Sequence, residues 1–339
     1  MARRKAPSDQ MALFAGAEPE EPAEMAEQVG PAPVSEEVEA LGRALPPEVR
    51  LGPSTWSFPG WAGIVYDRKY TPTRLAREGL AAVARHPLLH AAGVDRTHYA
   101  PVAAAELAAY AAEVPAGFRF LVKAHEALTL ARFPDRPRYG RDRGLGNPLY
   151  LDAAYAADAV VAPYVQGLGE KGGALLFQFA PQDLGGPARF ADELGAFLAA
   201  LPRGPLYAVE LRNREILTPR YAEALAAAGA VHCINAHPRM PDVRIQAALT
   251  GVAQAPAVIV RWLLGPGETY EEAGKRFAPF DRLQEEDPAA RHGIAALARE
   301  AVARWQPVLV TVNNNAEGSA PLSIVQLAAE IVKTPDGEG

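Results

Sequence analysis

The sequence predicts an α/β fold, a TIM-barrel-like (β/α)8 closed parallel barrel that follows a disordered N-terminal tail. From residue 49 onward, eight short apolar runs alternate with helix-like segments. Eight such repeats favour a closed barrel over an open doubly wound sheet. No Gly-x-Gly-x-x-Gly or Walker motif follows the first run, which disfavours a dinucleotide-binding or P-loop protein. Polar residues follow most of the runs, as expected where binding groups collect at strand ends.

The predicted elements follow from apolar runs and from helix-start residues. The strands are expected at residues 49–54, 93–97, 118–123, 173–178, 206–211, 230–235, 257–262 and 308–313. The helices are expected at residues 73–85, 103–113, 152–168, 190–201, 220–228, 289–305 and 320–332. Pro72, Pro219 and Pro288 stand where a helix begins, a position at which the missing amide hydrogen costs nothing.

Two long insertions interrupt this regularity, at residues 124–150 and 263–287. Within the first, the stretch 132–143 holds five arginines against Asp135 and Asp142, a local excess of three positive charges. The second is polar, with glycines as joints. Both leave the carboxyl ends of predicted strands, so we expect them to form walls or lids over one face of the barrel.

The first 45 residues are predicted to form a disordered tail, and residues 46–335 a single barrel domain. Residues 1–40 contain three basic and nine acidic side chains, a net charge of minus six that equals the charge of the whole chain. The remainder is therefore net neutral, which excludes a globally basic nucleic-acid-binding surface. The tail is rich in Ala, Pro and Glu and has too little apolar content to fold alone.

One apolar island interrupts this tail, at residues 10–14. It resembles the Gln-x-x-Leu-Phe peptide by which bacterial DNA-replication and repair proteins dock on the sliding clamp. Gln10, Leu13 and Phe14 would be the contact residues, and any link to DNA repair rests on them. The alternatives are a chance apolar island or a segment that folds back on the domain.

Composition limits the location and redox chemistry. The chain has no run of eighteen apolar residues and no signal-peptide pattern, so we expect no membrane span and a cytoplasmic location. Its lone cysteine, Cys233, lies within an apolar run. We therefore expect no disulfide, and a buried inert thiol rather than a nucleophile.

Polar side chains at the strand exits form the candidate site. Burying charged groups there without partners would cost several kcal/mol each, roughly. We favour a functional pocket over a structural salt-bridge network, because polar groups recur at nearly every exit. The exits carry Trp56, Asp95, Thr97, His98, Tyr99, Lys123, His125, Gln178, Glu210, Arg212, Asn235, His237, Arg261, Asn313, Asn314 and Glu317.

Six ordered blocks resemble the YecE-like family, catalogued as domain of unknown function 72. They read LGPSTWSFPGW at 51–61, FRFLVK at 118–123, LLFQ at 175–178, AVELR at 208–212, VR at 260–261 and NNNAEGSAP at 313–321. The resemblance spans residues 49–333 and implies a TIM-barrel-like fold, but no established activity. The positions at which the resemblance most directly implies site residues are Trp56, Lys123, Gln178, Glu210, Arg212, Arg261, Asn313, Asn314 and Glu317.

The chain also departs from the family pattern. Gly93 and Asp95 stand where the family usually has a glutamate and an asparagine, and Asn235 stands where it has an aspartate. A His-Gly pair that follows the arginine of the seventh strand in the family is absent after Arg261. The resemblance therefore implies a divergent member with altered chemistry.

The residue types at the exits suit an anionic ligand, a phosphorylated sugar or a nucleic acid. Guanidinium groups bind phosphate and carboxylate bidentately, and amides add planar donors and acceptors. The expected ligand-binding residues are Trp56, Tyr99, Gln178, Arg212, Arg261, Asn313 and Asn314. Trp56 and Trp61 could stack on a sugar or base, or could close the barrel mouth as a hydrophobic plug. The expected catalytic residues are Glu210, as general acid-base, with Lys123 and Glu317.

The cofactor is not specified by the sequence. Seven histidines are scattered without metal-binding spacing, although His98, His125 and His237 could converge with Asp95 and Glu210 on a divalent metal. Two functional classes stay open. One is a hydrolase or lyase acting on a phosphorylated sugar or nucleic acid, and the other is a non-catalytic module that binds an anionic ligand or a protein partner.

Overall fold

Eight parallel strands form the centre of the molecule in the computed structural model, which describes residues 28–267 and 269–333. Every predicted strand is present. The strands are β1 Val49–Pro53, β2 Ala91–Val94, β3 Arg119–Lys123, β4 Gly172–Gln178, β5 Tyr207–Glu210, β6 Val231–Ala236, β7 Val258–Trp262 and β8 Val308–Val312. Their order is β1-β8-β7-β6-β5-β4-β3-β2, so every hydrogen-bonded pair except β1–β8 joins strands that are consecutive in sequence. This arrangement confirms the predicted barrel.

The barrel nearly closes between β1 and β2, where glycines replace side chains. The amide of His90 donates a hydrogen bond of 2.8 Å to the carbonyl of Leu51. A Cβ on Gly52 would overlap the carbonyl oxygen of Ala91, and a Cβ on Gly93 would overlap that of Ser54. Gly93 is thus explained by backbone contact, because a glutamate at this position would force the two strands apart.

The helices surround the barrel, and most of the predicted ones are present. They are α1 Glu36–Ala44, α2 Pro72–Glu78, α3 Leu80–Val83, α4 Ala104–Glu113, α5 Ala153–Ala156, α6 Ala162–Leu168, α7 Pro187–Ala200, α8 Pro219–Ala228, α9 Val243–Leu249, α10 Tyr270–Phe277, α11 Pro288–Val302 and α12 Ala320–Val332. A wide helical turn, Ala157–Val161, joins α5 to α6. Helices α1, α9 and α10 are short, and their few apolar residues left no clear period in the sequence.

Part of the predicted tail belongs to the folded domain, which corrects the boundary at residue 45. Val29 and Leu45 are buried, and the amide of Ala32 donates a 2.9 Å hydrogen bond to the carbonyl of Val65. Helix α1 is capped by Ser35 and packs against α12. The burial of these few apolar side chains holds residues 28–45 on the barrel despite their acidic composition. Residues 1–27, with Gln10, Leu13 and Phe14, lie outside the described residues.

Two apolar layers enclose the strands. Outward side chains pack beneath the helices, whereas inward side chains such as Leu121, Leu176, Ala208 and Ile259 fill the barrel. Cys233 belongs to this inner layer, and burial raises the pKa of its thiol, as expected for an inert cysteine. In the part of the chain that the structure describes, no helix has the length and apolarity needed to span a bilayer.

Candidate functional site

Strand periodicity brings four predicted site residues together inside the barrel mouth. Side chains two positions apart on a strand point to the same side of the sheet. Lys123, Gln178, Glu210 and Arg261 therefore follow the inner apolar layer directly, each two residues after a side chain of that layer. They lie at the carboxyl ends of β3, β4, β5 and β7, the face at which barrel enzymes hold their sites.

Glu210 is the centre of this cluster. Its side chain is fully buried, and one carboxylate oxygen accepts a hydrogen bond from Arg261 Nη1 at 2.6 Å. The other oxygen accepts a hydrogen bond from Arg212 Nη1. Arg261 Nη1 also donates to Gln178 Oε1 at 2.9 Å. Burial acts to raise the pKa of Glu210, but Arg212, Arg261 and Lys123 together lower it to about 2.

Asp95 and Lys123 form the second ion pair of the cluster. Lys123 Nζ lies 3.0 Å from Asp95 Oδ2, and Arg261 Nη2 lies 4.0 Å from Asp95 Oδ1. Burial lowers the pKa of Lys123, while Asp95 opposes that change. The Asp95 side chain is 23% exposed, against 10% for Lys123, 7% for Arg212 and 4% for Arg261. Asp95 is therefore the charged member of the cluster that faces solvent most.

The histidines at the mouth are neutral and do not form a metal site. Burial, followed by Lys123, lowers the pKa of His98 to about 3. Burial, followed by Arg212, lowers that of His237 to about 4. His125 Nδ1 instead lies 2.7 Å from the hydroxyl of Tyr155. Within residues 28–267 and 269–333, no three His, Cys, Asp or Glu side chains converge as metal ligands. The convergence of His98, His125 and His237 on a metal, which the sequence left open, is therefore not seen among these residues.

The arginine-rich insertion folds on itself around Glu126 and contacts the mouth at His98 and Tyr99. Arg138 Nη2 lies 2.6 Å from one oxygen of Glu126, and the Tyr139 hydroxyl donates to the other at 3.1 Å. The Arg138 guanidinium also stacks over the ring of Tyr99, 5.6 Å from its centre. Burial raises the pKa of Glu126, and Arg138 opposes that shift. The insertion thus forms a wall beside the cluster and covers Tyr99.

Residues 50–337 match the family described as protein of unknown function DUF72. The chain belongs to this family. Among solved structures, a DUF72 family protein from Enterococcus faecalis V583 is similar at a TM-score of 0.55 and 18% identity, covering 85% of this chain and 96% of that one. A DUF72 family protein from Thermotoga maritima is similar at 0.54 and 17% identity, covering 84% and 99%. These likenesses show the shared fold. None of the curated proteins matches the sequence.

Other predicted site residues of this DUF72 barrel make structural contacts outside the cluster. Glu317 is fully buried, pairs with Arg291 at 2.5 Å and accepts a 2.8 Å hydrogen bond from the amide of Asp287. Glu317 therefore holds the end of the second insertion and the start of α11 against the loop that follows β8. Asn313 accepts a 2.9 Å hydrogen bond from the amide of Asn315, which shapes the loop after β8.

Two further predicted ligand-binding residues are also bound to protein groups. Asn314 Oδ1 accepts hydrogen bonds from Trp61 Nε1 at 3.2 Å and from the amide of Ala320 at 2.8 Å. Trp56 is buried and packs edge-on against Tyr110, with ring centres 5.4 Å apart. Trp61 is fully buried. These contacts favour the plug over the stacking wall as the role of the tryptophans.

Sequence reasoning missed two groups at the mouth. Asp95 was placed among the strand exits but not among the expected ligand-binding or catalytic residues, although its place two residues after Gly93 could have indicated that it joins the inward row. Tyr270, in the second insertion, hydrogen-bonds the Arg212 side chain and packs 6.0 Å from the ring of His237. No periodic pattern marks Tyr270, because the insertion that carries it has no regular relation to the strands.

Proposed function

We propose that the cluster at the barrel mouth binds an anionic ligand, a phosphorylated sugar or a nucleic-acid phosphate. The observation that carries this proposal is the charge balance. Lys123, Arg212 and Arg261 bring three cations together, and Asp95 and Glu210 bring two carboxylates. His98 and His237 add no charge near neutral pH because their pKa values are depressed.

An excess positive charge in such a place favours an anion. Charges interact more strongly in a poorly solvated site than in water, and a buried ion cluster is stable only when its charges are closely matched. A phosphate oxygen would supply the missing negative charge and could be held by Arg212 and Lys123 in the way that guanidinium and ammonium groups hold phosphate.

Asp95 is the group that an incoming anion would displace. It is more exposed than the other charged members of the cluster, and its closest ion-pair partner is Lys123. A ligand phosphate that replaced the Asp95 carboxylate beside Lys123 would keep the ammonium paired. Glu210, by contrast, is enclosed by two arginines and acts as their counter-ion.

The geometry supports binding more strongly than hydrolysis. A carboxylate with a pKa of about 2 is a weak base near neutral pH, so Glu210 is poorly suited to general acid-base catalysis. This favours the non-catalytic alternative, a module that recognises an anionic ligand. If the site hydrolyses its ligand, Asp95 is the carboxylate with the solvent access that the reaction needs.

Calorimetric titration with inorganic pyrophosphate and ribose 5-phosphate tests the proposal. We expect binding by the unmodified protein and a loss of about tenfold in affinity for Lys123→Met, since one charge-assisted hydrogen bond is removed. Lys69→Met, at an exposed lysine outside the cluster, is the matched control. No heat of binding with either probe, or equal effects of the two variants, would overturn the proposal. Release of nitrophenolate from bis(p-nitrophenyl) phosphate, lost in Asp95→Asn, would favour the hydrolase.

A further inference from the structure

A second site is suggested on the flank of the barrel, away from the charged cluster. A cavity of about 720 Å³ lies between α7 and the segment 131–153. Its volume is within the range of small-molecule sites, roughly 300–1,000 Å³. Its lining residues include Leu151, Asp183, Leu184, Glu193, Ala196 and Phe197. We call this space the flank cavity.

The walls of the flank cavity are fixed by hydrogen bonds. Gln182, in the loop between β4 and α7, donates to the carbonyl of Thr129 at 2.7 Å and accepts from the amide of Ala131 at 2.8 Å. Asn147 donates to the carbonyls of Ala127 and Leu130 at 2.6 and 2.7 Å. The insertion is therefore tied both to the next loop and to itself, so the cavity is largely preformed, as ligand sites generally are.

The floor of the flank cavity is apolar and is kept open by small side chains. Leu184 and Phe197 are buried, and Phe197 packs edge-on against Phe177 of β4, with ring centres 5.1 Å apart. Ala196 and Ala200 lie one turn apart on α7 and leave room beside them. An apolar body of a ligand would find a matching surface here.

The polar groups of the flank cavity carry an excess of negative charge. Arg189 pairs with Glu193 at 2.7 Å, which leaves the exposed carboxylate of Asp183 as the surplus charge of the three. The hydroxyl of Tyr150 is buried and has no hydrogen-bond partner within the described residues. Burial, followed by the nearby Glu193, raises the pKa of this hydroxyl, which stays protonated; its oxygen is closed to solvent and does not face the open space.

Backbone strain occurs at the same place. Leu151, which follows Tyr150 and lines the cavity, has a φ of 51°, in the left-handed region that side chains other than glycine rarely adopt. Its amide donates a 3.1 Å hydrogen bond to the carbonyl of Leu128, which holds this conformation. Strain of this kind clusters at ligand-binding and switch sites.

We propose that the flank cavity binds a small organic cation, an amine with an aromatic or aliphatic body. The apolar floor would take the body, and the carboxylates of Asp183 and Glu193 would take the ammonium group. The preferred charge is opposite to that of the ligand proposed for the barrel mouth.

Ligand-observed saturation-transfer NMR on the full chain tests this proposal with two probes of similar shape, phenethylamine and phenylacetate. We expect phenethylamine to bind and phenylacetate to bind about tenfold more weakly or not at all. Asp183→Asn should lower the affinity for phenethylamine by about threefold, because it removes one exposed charge. Equal binding of the two probes, or no binding of phenethylamine, would overturn the proposal.

Filling the flank cavity locates the bound probe. Ala196→Trp places an indole in the space, whereas Ala199→Trp places it at an exposed position of the same helix that does not line the cavity. Both positions are exposed, so both variants should fold, which circular dichroism checks. We expect Ala196→Trp to abolish phenethylamine binding and Ala199→Trp to leave it unchanged. Equal behaviour of the two variants would overturn the assignment.

Discussion

The barrel mouth holds most of the buried charge, whereas the flank cavity holds most of the open volume. The mouth collects five charged side chains, nearly all of them buried against one another, whereas the open volume lies on the flank beside only three. The mouth is built by strand ends, so its geometry follows from the sheet. The flank is built by an insertion and a helix, so its geometry depends on loop contacts. Charge alone is therefore a poor guide to where a ligand of some size can enter.

The two regions also differ in how their polar groups are satisfied. At the mouth, Glu210 and Arg261 hold each other, and removing either takes away a close partner of a buried charge. On the flank, the Tyr150 hydroxyl has no hydrogen-bond partner among the residues that the structure describes. The mouth should therefore be intolerant of substitution and the flank tolerant. Four measurements test this difference.

Arg261→Met should give the largest effect, a loss of about 3–5 kcal/mol in the free energy of unfolding, because Glu210 loses a partner in a buried site. Urea unfolding followed by circular dichroism measures it. The control is Arg220→Met, which removes an exposed ion pair with Asp192 and should cost about 0–1 kcal/mol. Equal costs for the two arginines would show that the mouth is well hydrated.

Lowering the pH should reduce the free energy of unfolding of the unmodified protein, because Glu210 becomes protonated. The pKa of this carboxyl is about 2 in the folded protein against an ordinary 4.5, so its stabilising contribution is complete above pH 4.5 and is lost as the pH falls towards 2. The difference corresponds to about 3 kcal/mol. Unfolding curves between pH 2 and 7 should show this loss for the unmodified chain and a flatter profile for Glu210→Gln. Parallel profiles would contradict the depressed pKa.

Arg138→Met should loosen the wall of the mouth by a smaller amount. The pair with Glu126 is partly exposed, so its loss should cost about 1 kcal/mol and raise the open population of the insertion about fivefold. Limited trypsin digestion, which can still cut after Arg132, Arg141 and Arg143, measures the opening. Arg203→Met, at an exposed arginine remote from the insertion, is the control, and equal digestion rates would argue that the Glu126 contacts do not hold the wall.

Tyr150→Phe should have the smallest effect, within about 0.5 kcal/mol of the unmodified protein and in the stabilising direction if it differs. A buried hydroxyl without a partner costs desolvation energy, so its removal does not destabilise. The matched substitution is Tyr221→Phe, which removes a hydroxyl that lies 2.9 Å from His232 Nδ1. Loss of that hydrogen bond should destabilise the protein. A destabilising Tyr150→Phe would indicate that the hydroxyl is satisfied by bound water.

The sequence allowed the barrel and half of the site to be predicted, for a physical reason. Strand alternation is local, so Lys123, Gln178, Glu210 and Arg261 could be placed on one face from their spacing alone. The roles of these residues depend on distances between strands, which spacing does not contain. Glu210 was expected to exchange protons, but its two arginine partners make it a counter-ion.

Loop residues were harder to predict. Glu317, Asn314 and Trp56 stand next to strand ends in the sequence, yet their side chains turn to Arg291, Trp61 and Tyr110. Tyr270 reaches the mouth from a long insertion whose path no periodic pattern encodes. The acidic composition of residues 28–45 likewise concealed the few apolar side chains that fold them onto the barrel.

The bare seam between β1 and β2 also bears on how such barrels diverge. Because Gly52 and Gly93 let two backbones touch, this position sets the circumference of the barrel rather than its chemistry. A relative with a long acidic side chain there must hold these strands further apart, and its mouth would be wider. Substituting glutamate for Gly93 in this chain would therefore push β1 and β2 apart, and the other strand ends would have to shift to accommodate the change.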